Sequence, residues 1–375
     1  MNKVLQTTIV IGIISFFLAL YLSFAPIPFA PIKWDAHESR GYVGPHQKNT
    51  KLANMNYLDL GNYSQPEHLV YRSNWLYAAM KDGEIIRIRP DGSEIEEVVN
   101  TNGRPLGFDF DLEGSLIIAD PMYGDHGGLI KVTNLEGEPE IELLTNAVEG
   151  TPILFADAVV VASNGMIYFT DASQKVRVKD IGDVGKAGEL DILGNSSSGR
   201  LLEYNPTTQK TRIIMRDLSF ANGIVLSKDE QQIIINETGK YRVWKVDVAA
   251  ENISANEISD HSIVLIDNLP GLPDNLMRGR DNRIWIGLVH PRNDFLDFSA
   301  DKPWLRAIVM RLPHFLLPKG KGYAHVIAID ESGAILDDLQ SSSGTFTDIT
   351  GVTETEQSLY FHTLNNNRTI GWIRY

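Results

Sequence analysis

The sequence predicts an all-β fold, a six-bladed β-propeller, carried behind one membrane-crossing N-terminal helix. Three observations lead there: an uncharged apolar run near the amino end, a strand-like pattern that recurs six times beyond it, and a composition rich in turn formers. Of 375 residues, 43% are hydrophobic, 31 are Gly and 17 are Pro. That supplies apolar side chains for a large core and enough chain-reversing residues for many short strands.

The amino-terminal element comes first. From Val4 to Ile32 there is no charged side chain, and Val4 to Ala25 is long and apolar enough to cross a hydrocarbon core of about 30 Å as a helix. Ser23-Phe24-Ala25 resembles a small-residue cleavage site, but Pro26 follows directly and is a poor first residue of a processed chain, so retention is expected. Pro26, Pro28 and Pro31 cannot extend the helix and form a short stiff spacer. Residues 1–32 therefore read as anchor and spacer, and residues 33–375 as the propeller.

Past the spacer, a turn-forming or polar pair is followed by residues of β-branched and aromatic type. The copies are Asn74–Met80, Gly114–Asp120, Gly165–Asp171, Gln231–Glu237, Asn282–Leu288 and Gln357–Thr363. Their starts are 40, 51, 66, 51 and 75 residues apart, room for about four short strands per period plus insertions. Blades of four antiparallel strands around a channel satisfy this spacing. The strand-like stretch Leu52 to Leu60 precedes the first copy and is expected to complete the last blade, closing the ring and removing an open sheet edge.

The start of each blade's innermost strand should lie about ten residues before each copy, and these starts ring one mouth of the channel. Around the ring this position holds Glu67, Gly107, Ala156 with Asp157, Asn222, Asp274 and Gly351. Glu67, Asn222 and Asp274 bring two carboxylates and an amide carbonyl from three blades, an all-oxygen set that suits Ca²⁺. The glycines are expected to leave room for substrate. Asp157 and Asn275 are expected beside that set as substrate contacts. His126 in YGDHGGL and His290 in GLVHPRND, two of nine histidines, sit on loops after recurring strands where they would overhang the channel. A helical insertion at about 294–317 carries Phe295, Leu296, Phe298, Trp304, Leu305, Phe315 and Leu316 among Lys302, Arg306 and Arg311. It reads as a lid over the pocket, as an interfacial element on the membrane, or as packing against the outside of the propeller.

Composition also excludes. Thirty-four basic against 48 acidic residues give a net charge of −14, which repels phosphate backbones, so nucleic acid is not an expected partner. With no cysteine there is no disulfide, thiolate metal site or cysteine nucleophile. No GxSxG elbow, P-loop, HExxH or dinucleotide fingerprint stands in a supporting context.

Several segments are more specific than any propeller needs: GRPLGF (Gly103–Phe108), YFTDAS (Tyr168–Ser173), GRLLEYNP (Gly199–Pro206), FANGI (Phe220–Ile224), LPGLPDNL (Leu269–Leu276) and FLDFSADKPWL (Phe295–Leu305). By these the chain resembles the strictosidine synthase-like family, within the clan of paraoxonases, gluconolactonases and regucalcin. The resemblance implies calcium held by Glu67, Asn222 and Asp274, with Asp274 also the catalytic carboxylate. The chain departs from the family at Phe155-Ala156-Asp157, where Phe-Asn-Asp is usual. The expected function is a membrane-anchored, calcium-dependent hydrolase of lactones or aryl esters; alkaloid condensation is not expected, since fold membership does not confer it. The rival expectation is a non-catalytic, membrane-tethered binding or scaffold module. Lys33, Arg40, Lys48 and Lys51 follow the span while only Lys3 precedes it, which by the positive-inside count alone favours a cytoplasmic propeller. Signal anchors nevertheless translocate long following domains, and the resemblance points the same way, so the propeller is expected on the extracytoplasmic side.

Overall fold

Each recurring segment is the second strand of a blade in the computed structural model, which describes residues 3–313, 316, 322–365 and 367–375. Blade I runs through His68–Arg72, Trp75–Ala79, Glu84–Ile88 and Ile95–Asn100; blade II through Phe108–Phe110, Leu116–Asp120, Gly128–Thr133 and Glu140–Thr145. Blade III uses Ala156–Val161, Ile167–Asp171, Gly199–Asn205 and Lys210–Leu218, edged by the short parallel strand Ile253–Ser254. Blade IV holds Ala221–Leu226, Gln232–Glu237, Arg242–Asp247 and Ser262–Ile266; blade V holds Gly271–Arg278, Ile284–Pro291, Ala324–Ile329 and Ile335–Ser341.

Blade VI is assembled from both ends of the propeller. Ile349–Glu354, Ser358–Thr363 and Thr369–Arg374 are joined by Asn56–Asp59, which pairs antiparallel with the last strand in the register Asn56 to Trp372 through Asp59 to Thr369. The predicted closing segment thus does its work through these four residues, of which Leu58 is buried, with buried Leu60 just beyond them.

The second strands stand out in sequence because neighbouring blades cover both of their faces. Trp75–Ala79, Leu116–Asp120, Ile167–Asp171 and Ser358–Thr363 are buried at every position, so they lose the in-out alternation of a half-exposed strand. The hydrophobic core is correspondingly divided into wedges between blades, such as Trp75, Phe108 and Ile118 between I and II, or Val225, Ile234 and Ile286 between IV and V.

Glycines at the inner strands let neighbouring blades approach closely. A Cβ on Gly107 would lie 2.7 Å from Ala158 Cα, and one on Gly223 would lie 2.3 Å from Leu276 N. The ring glycines read from sequence as room for substrate therefore serve a different end: Gly107 lets two inner strands touch, and a Cβ on Gly351 would lie 2.9 Å from His362 Nδ1.

Helix α1 (Lys3–Phe24) has no buried residue, and its 22 residues are long and apolar enough to cross a membrane. The spacer after it is not a free arm. Ile32 N donates to Gly194 O at 2.9 Å, Trp34 N to Ala300 O at 3.1 Å, and Arg311 Nε to Ala25 O at 2.6 Å. Between the second and third strands of blade III lie α2 (Val178–Ile181) and α3 (Val184–Gly194); in the same place in blade V lie α4 (Asp294–Phe298) and α5 (Pro303–Val309). Asp183 caps α3 and Asn293 caps α4 with their side-chain oxygens. Connections between second and third strands emerge on the face where the inner strands begin, so both helical insertions and the docked spacer share the channel mouth's face. The predicted helices near 294–317 are α4 and α5; Phe315 and positions 314 and 317 lie outside the described residues.

Candidate active site

A cavity of about 570 Å³ opens at this mouth. Its floor is polar: Glu67 from the start of blade I, Asp157 from III, Asn222 from IV and Asp274 from V. All four are at most 6% exposed. Apolar walls come from Leu106, Phe155, Phe220 and Val289, and α3 roofs one side through Val184, Gly188 and Ile192. A small apolar cluster of Leu106, Phe155, Val178, Ala187 and Phe220 seats that roof on the blades.

Three of the four floor residues, Glu67, Asp157 and Asp274, are held through their backbone. Thr350 Oγ1 donates to Glu67 O at 2.7 Å, Asn236 Nδ2 to Asp274 O at 2.5 Å, and Thr238 Oγ1 to Pro273 O at 2.6 Å. Gly107 N donates to Asp157 O at 2.6 Å. Backbone anchoring leaves the side chains to face the cavity.

Electrostatically the floor is a concentration of negative charge away from water. Burial raises the Glu67 carboxyl to about 7 against the opposing pull of Arg104 and Asn275. Burial also lifts Asp274 well above the usual carboxylate range, with Glu67 adding to the rise and the Asn222 amide opposing it. Asp157 is lifted the same way, by burial first and then by Glu67 and Asp274. Glu67 Oε2 and Asn222 Oδ1 are buried acceptor oxygens without a hydrogen-bond partner. Unsatisfied oxygens beside mutually repelling carboxylates fit a hard cation, which would relieve both penalties at once.

The remaining sequence-predicted residues divide. Asn275 is 1% exposed and turns toward Glu67, donating from Nδ2 to Oε1 at 2.8 Å and to the backbone O at 3.1 Å, so it orients Glu67. His290 lines the cavity rim, its Nδ1 3.5 Å from Asp348 Oδ1. His126 is exposed on its loop, 3.1 Å from Arg177 Nη2, and does not line the cavity. Ala156 lies in the apolar wedge with Ile117 and Phe169, whereas its neighbours Phe155 and Asp157 reach the cavity. Asp171, Ser173 and Glu237 are fully buried and hydrogen-bonded away from the cavity lining.

Sequence reasoning passed over two groups at this site. Arg104 reaches the cavity with both terminal guanidinium nitrogens buried and unpartnered, and burial lowers its pKa against the pull of Glu67 and three aspartates. His68, next to Glu67, and His362 are buried outside the cavity lining with ring centroids 5.7 Å apart; burial lowers His68 to about 4 and His362 well below its ordinary value. His68 follows Glu67 directly and His362 lies within the recurring segment Gln357–Thr363, but nothing in spacing marks either.

A profile described as strictosidine synthase matches residues 157–251, and one described as strictosidine synthase-like, N-terminal, matches residues 44–88. Strictosidine synthase-like 6 of Arabidopsis thaliana is 32% identical over 75% of this chain and 72% of its own length. The chain belongs to the strictosidine synthase-like family. The adipocyte plasma membrane-associated protein of Salmo salar is 30% identical to this strictosidine synthase-like chain, over 80% of this chain and 73% of its own. Strictosidine synthase-like 7 of Arabidopsis thaliana is 34% identical, and the chain spans 65% of that relative, just under two thirds. Among solved structures, a gluconolactonase from Xanthomonas campestris matches with a TM-score of 0.56 at 15% identity, over 93% of this chain and 98% of its own. A calcium-binding regucalcin from Agrobacterium tumefaciens matches at 0.53 with 12% identity, over 85% and 93%. At these identities the structural likeness is one of fold.

Proposed function

We propose that this family member is a membrane-anchored, calcium-dependent hydrolase of lactones or aryl esters. One observation carries the reading: Glu67, Asp157, Asn222 and Asp274 converge from four blades on one buried cavity, with two acceptor oxygens left unpartnered. The folds shared with a gluconolactonase and a calcium-binding regucalcin support it.

Glu67, Asn222 and Asp274 would hold Ca²⁺ through side-chain oxygens. When bound, the ion supplies positive charge opposite the oxygen that becomes negative as an ester or lactone carbonyl is attacked. Every other contribution comes from the chain. Asp274 is the reacting carboxylate, either taking the proton of the attacking water or attacking the acyl carbon itself; single-turnover reaction in isotopically labelled water separates the two. Asn275 keeps Glu67 oriented, Phe155, Phe220 and Val289 seat the apolar part of the substrate, and α3 limits water entry.

The mouth shares a face with the docked spacer, which supports substrates drawn from the lipid–water boundary. The exposed Phe298 and Trp304, each more than 60% accessible, favour the interfacial role for the α4–α5 insertion. No described residue of 294–316 lines the cavity, and the roof is α3 instead. The reading puts the propeller on the extracytoplasmic side, checked by protease protection in sealed vesicles.

The test is Asp274→Asn in the full chain in detergent. Loss of at least a hundredfold in calcium-dependent ester and lactone hydrolysis, with an unchanged circular-dichroism spectrum, supports the reading. Retained hydrolysis removes Asp274 from the chemistry. Calcium binding without turnover in the unaltered chain favours the binding-module alternative.

A further inference from the structure

On the outer part of blade V, remote from the cavity, the segment leading into the propeller lies along the last strand. Leu52 N donates to Gln340 O at 3.0 Å, Gln340 N to Asn49 Oδ1 at 2.9 Å, and Lys51 Nζ meets Asp337 Oδ1 at 2.6 Å. Within this seam His46 Nδ1 is 2.8 Å and His325 Nε2 is 2.9 Å from the same oxygen, Asp338 Oδ2. His325 is 2% exposed and Asp338 5%, and His46 is mostly covered. One ligand atom from each of the three residues lies within 4.8 Å of the other two.

We propose that His46, His325 and Asp338 form a transition-metal site, suited to Zn²⁺, that fastens the segment between anchor and propeller to blade V. Two imidazole nitrogens with one carboxylate oxygen are zinc-type donors, unlike the all-oxygen floor of the channel. Zinc bonds of about 2.0–2.2 Å place neighbouring tetrahedral ligands about 3.3 Å apart, so each imidazole–carboxylate separation needs to open by only about half an ångström. Asp338 Oδ1 is already held by Asn49 Nδ2 at 3.3 Å and by Gln340 Nε2, the outer contacts that aim a ligating carboxylate.

On binding, the ring nitrogen that each imidazole uses to donate to Asp338 Oδ2 gives up its proton, so that its lone pair meets the metal, and the ring keeps one proton on its other nitrogen. The fourth position falls to water or to the nearby Tyr42 hydroxyl. The Tyr42 ring lies tilted against that of His325, centroids 5.7 Å apart, and its hydroxyl is buried without a hydrogen-bond partner. The predicted consequence is mechanical. His46 belongs to a short 3₁₀ turn, Gly44–His46, and the metal would link this turn covalently to two strands of the blade.

The experiment uses the full chain in detergent, stripped with chelator, reloaded with zinc and passed through gel filtration, with bound metal counted by mass spectrometry. The expected result is one retained equivalent in the unaltered chain and less than a tenth of one in His46→Gln and in Asp338→Asn. His46 lies at the edge of the seam, so its variant is expected to fold, which circular dichroism checks. Cobalt in place of zinc should give the intense visible absorption of a tetrahedral site, lost in His46→Gln. No retained zinc in the unaltered chain, equal retention in both variants, or only the weak absorption of octahedral cobalt would overturn the proposal. No readout depends on ester hydrolysis, so the outcome stands apart from the function proposed for the channel.

Discussion

Removing one member of the Asp171–Arg200 pair should destabilise the protein in a way that reveals which member is left. Arg200 Nη2 donates to Asp171 Oδ2 at 2.6 Å and Nε to the same oxygen at 3.1 Å, and the two side chains are 2% and 0% exposed. Asp171 Oδ1 accepts from Phe155 N at 2.9 Å and Leu154 N at 3.2 Å, while Arg200 Nη2 also donates to Pro152 O at 2.8 Å. The pair therefore holds the segment that delivers Phe155 and Asp157 to the cavity. Breaking a buried pair by removing one partner costs roughly 3–5 kcal/mol. Asp171→Asn leaves a buried guanidinium, which keeps its proton at ordinary pH, so the full cost is expected at every pH from 5 to 8.

Arg200→Leu leaves a carboxylate, which can neutralise. Burial already raises the Asp171 pKa, with Arg200 the main opposing influence, so losing Arg200 raises it further. A folded pKa above the unfolded one penalises folding when the group is ionised. The penalty is full above the folded pKa and disappears as pH falls toward the unfolded value near 3.9. Arg200→Leu should thus approach the unaltered protein in stability as pH is lowered from 8 to 5, and Asp171→Asn should not. Urea unfolding of both variants and of the double variant, at four pH values, measures this. The double variant should cost less than the sum of the two. An Asp171→Asn cost under about 1 kcal/mol, or a pH-independent Arg200→Leu, would refute the reasoning.

Three other outcomes follow from the packing. Gly223→Ala would place a Cβ 2.3 Å from Leu276 N and 2.5 Å from Asp274 O; a destabilisation of roughly 1–3 kcal/mol is expected, with weakened calcium response in thermal melts. Arg306, fully buried, donates to backbone oxygens including Gly194 and Ile32. Arg306→Met should cost roughly 2–4 kcal/mol by leaving these acceptors unsatisfied, and should speed tryptic cleavage at Lys33. A chain started at residue 62 lacks the closing strand Asn56–Asp59 and should aggregate through the exposed edge of blade VI. A chain started at Pro26 should be monodisperse in gel filtration.

The fold was legible because of one geometric fact. The second strand of every blade is covered on both faces, so segments such as Leu116–Asp120 appear as compact apolar runs wherever insertions push them. A hairpin of near-constant length then locates the inner-strand starts, which is why Glu67, Asn222 and Asp274 could be named from spacing. The roof was not legible. Residues 178–194 are interrupted by Gly182 and include Gly185, Gly188 and Gly194, so their helical periodicity is faint. Arg104 stands in the segment GRPLGF with nothing to mark it, because its role depends on carboxylates, Glu67 among them, that reach it from other parts of the chain. The spacer docks by backbone hydrogen bonds, as between Ile32 and Gly194, and by Arg306 and Arg311 donating to its carbonyls, pairings between distant segments that no local pattern marks.

The most direct test of the central claim is hydrolysis of aryl esters and lactones by the full chain in detergent as calcium is titrated in and then removed by chelator, with thermal melts in parallel. The account predicts that activity and melting temperature rise together with calcium and fall together on chelation, and that Glu67→Gln and Asp274→Asn lose both responses. Indifference of both activity and melting temperature to calcium would contradict it.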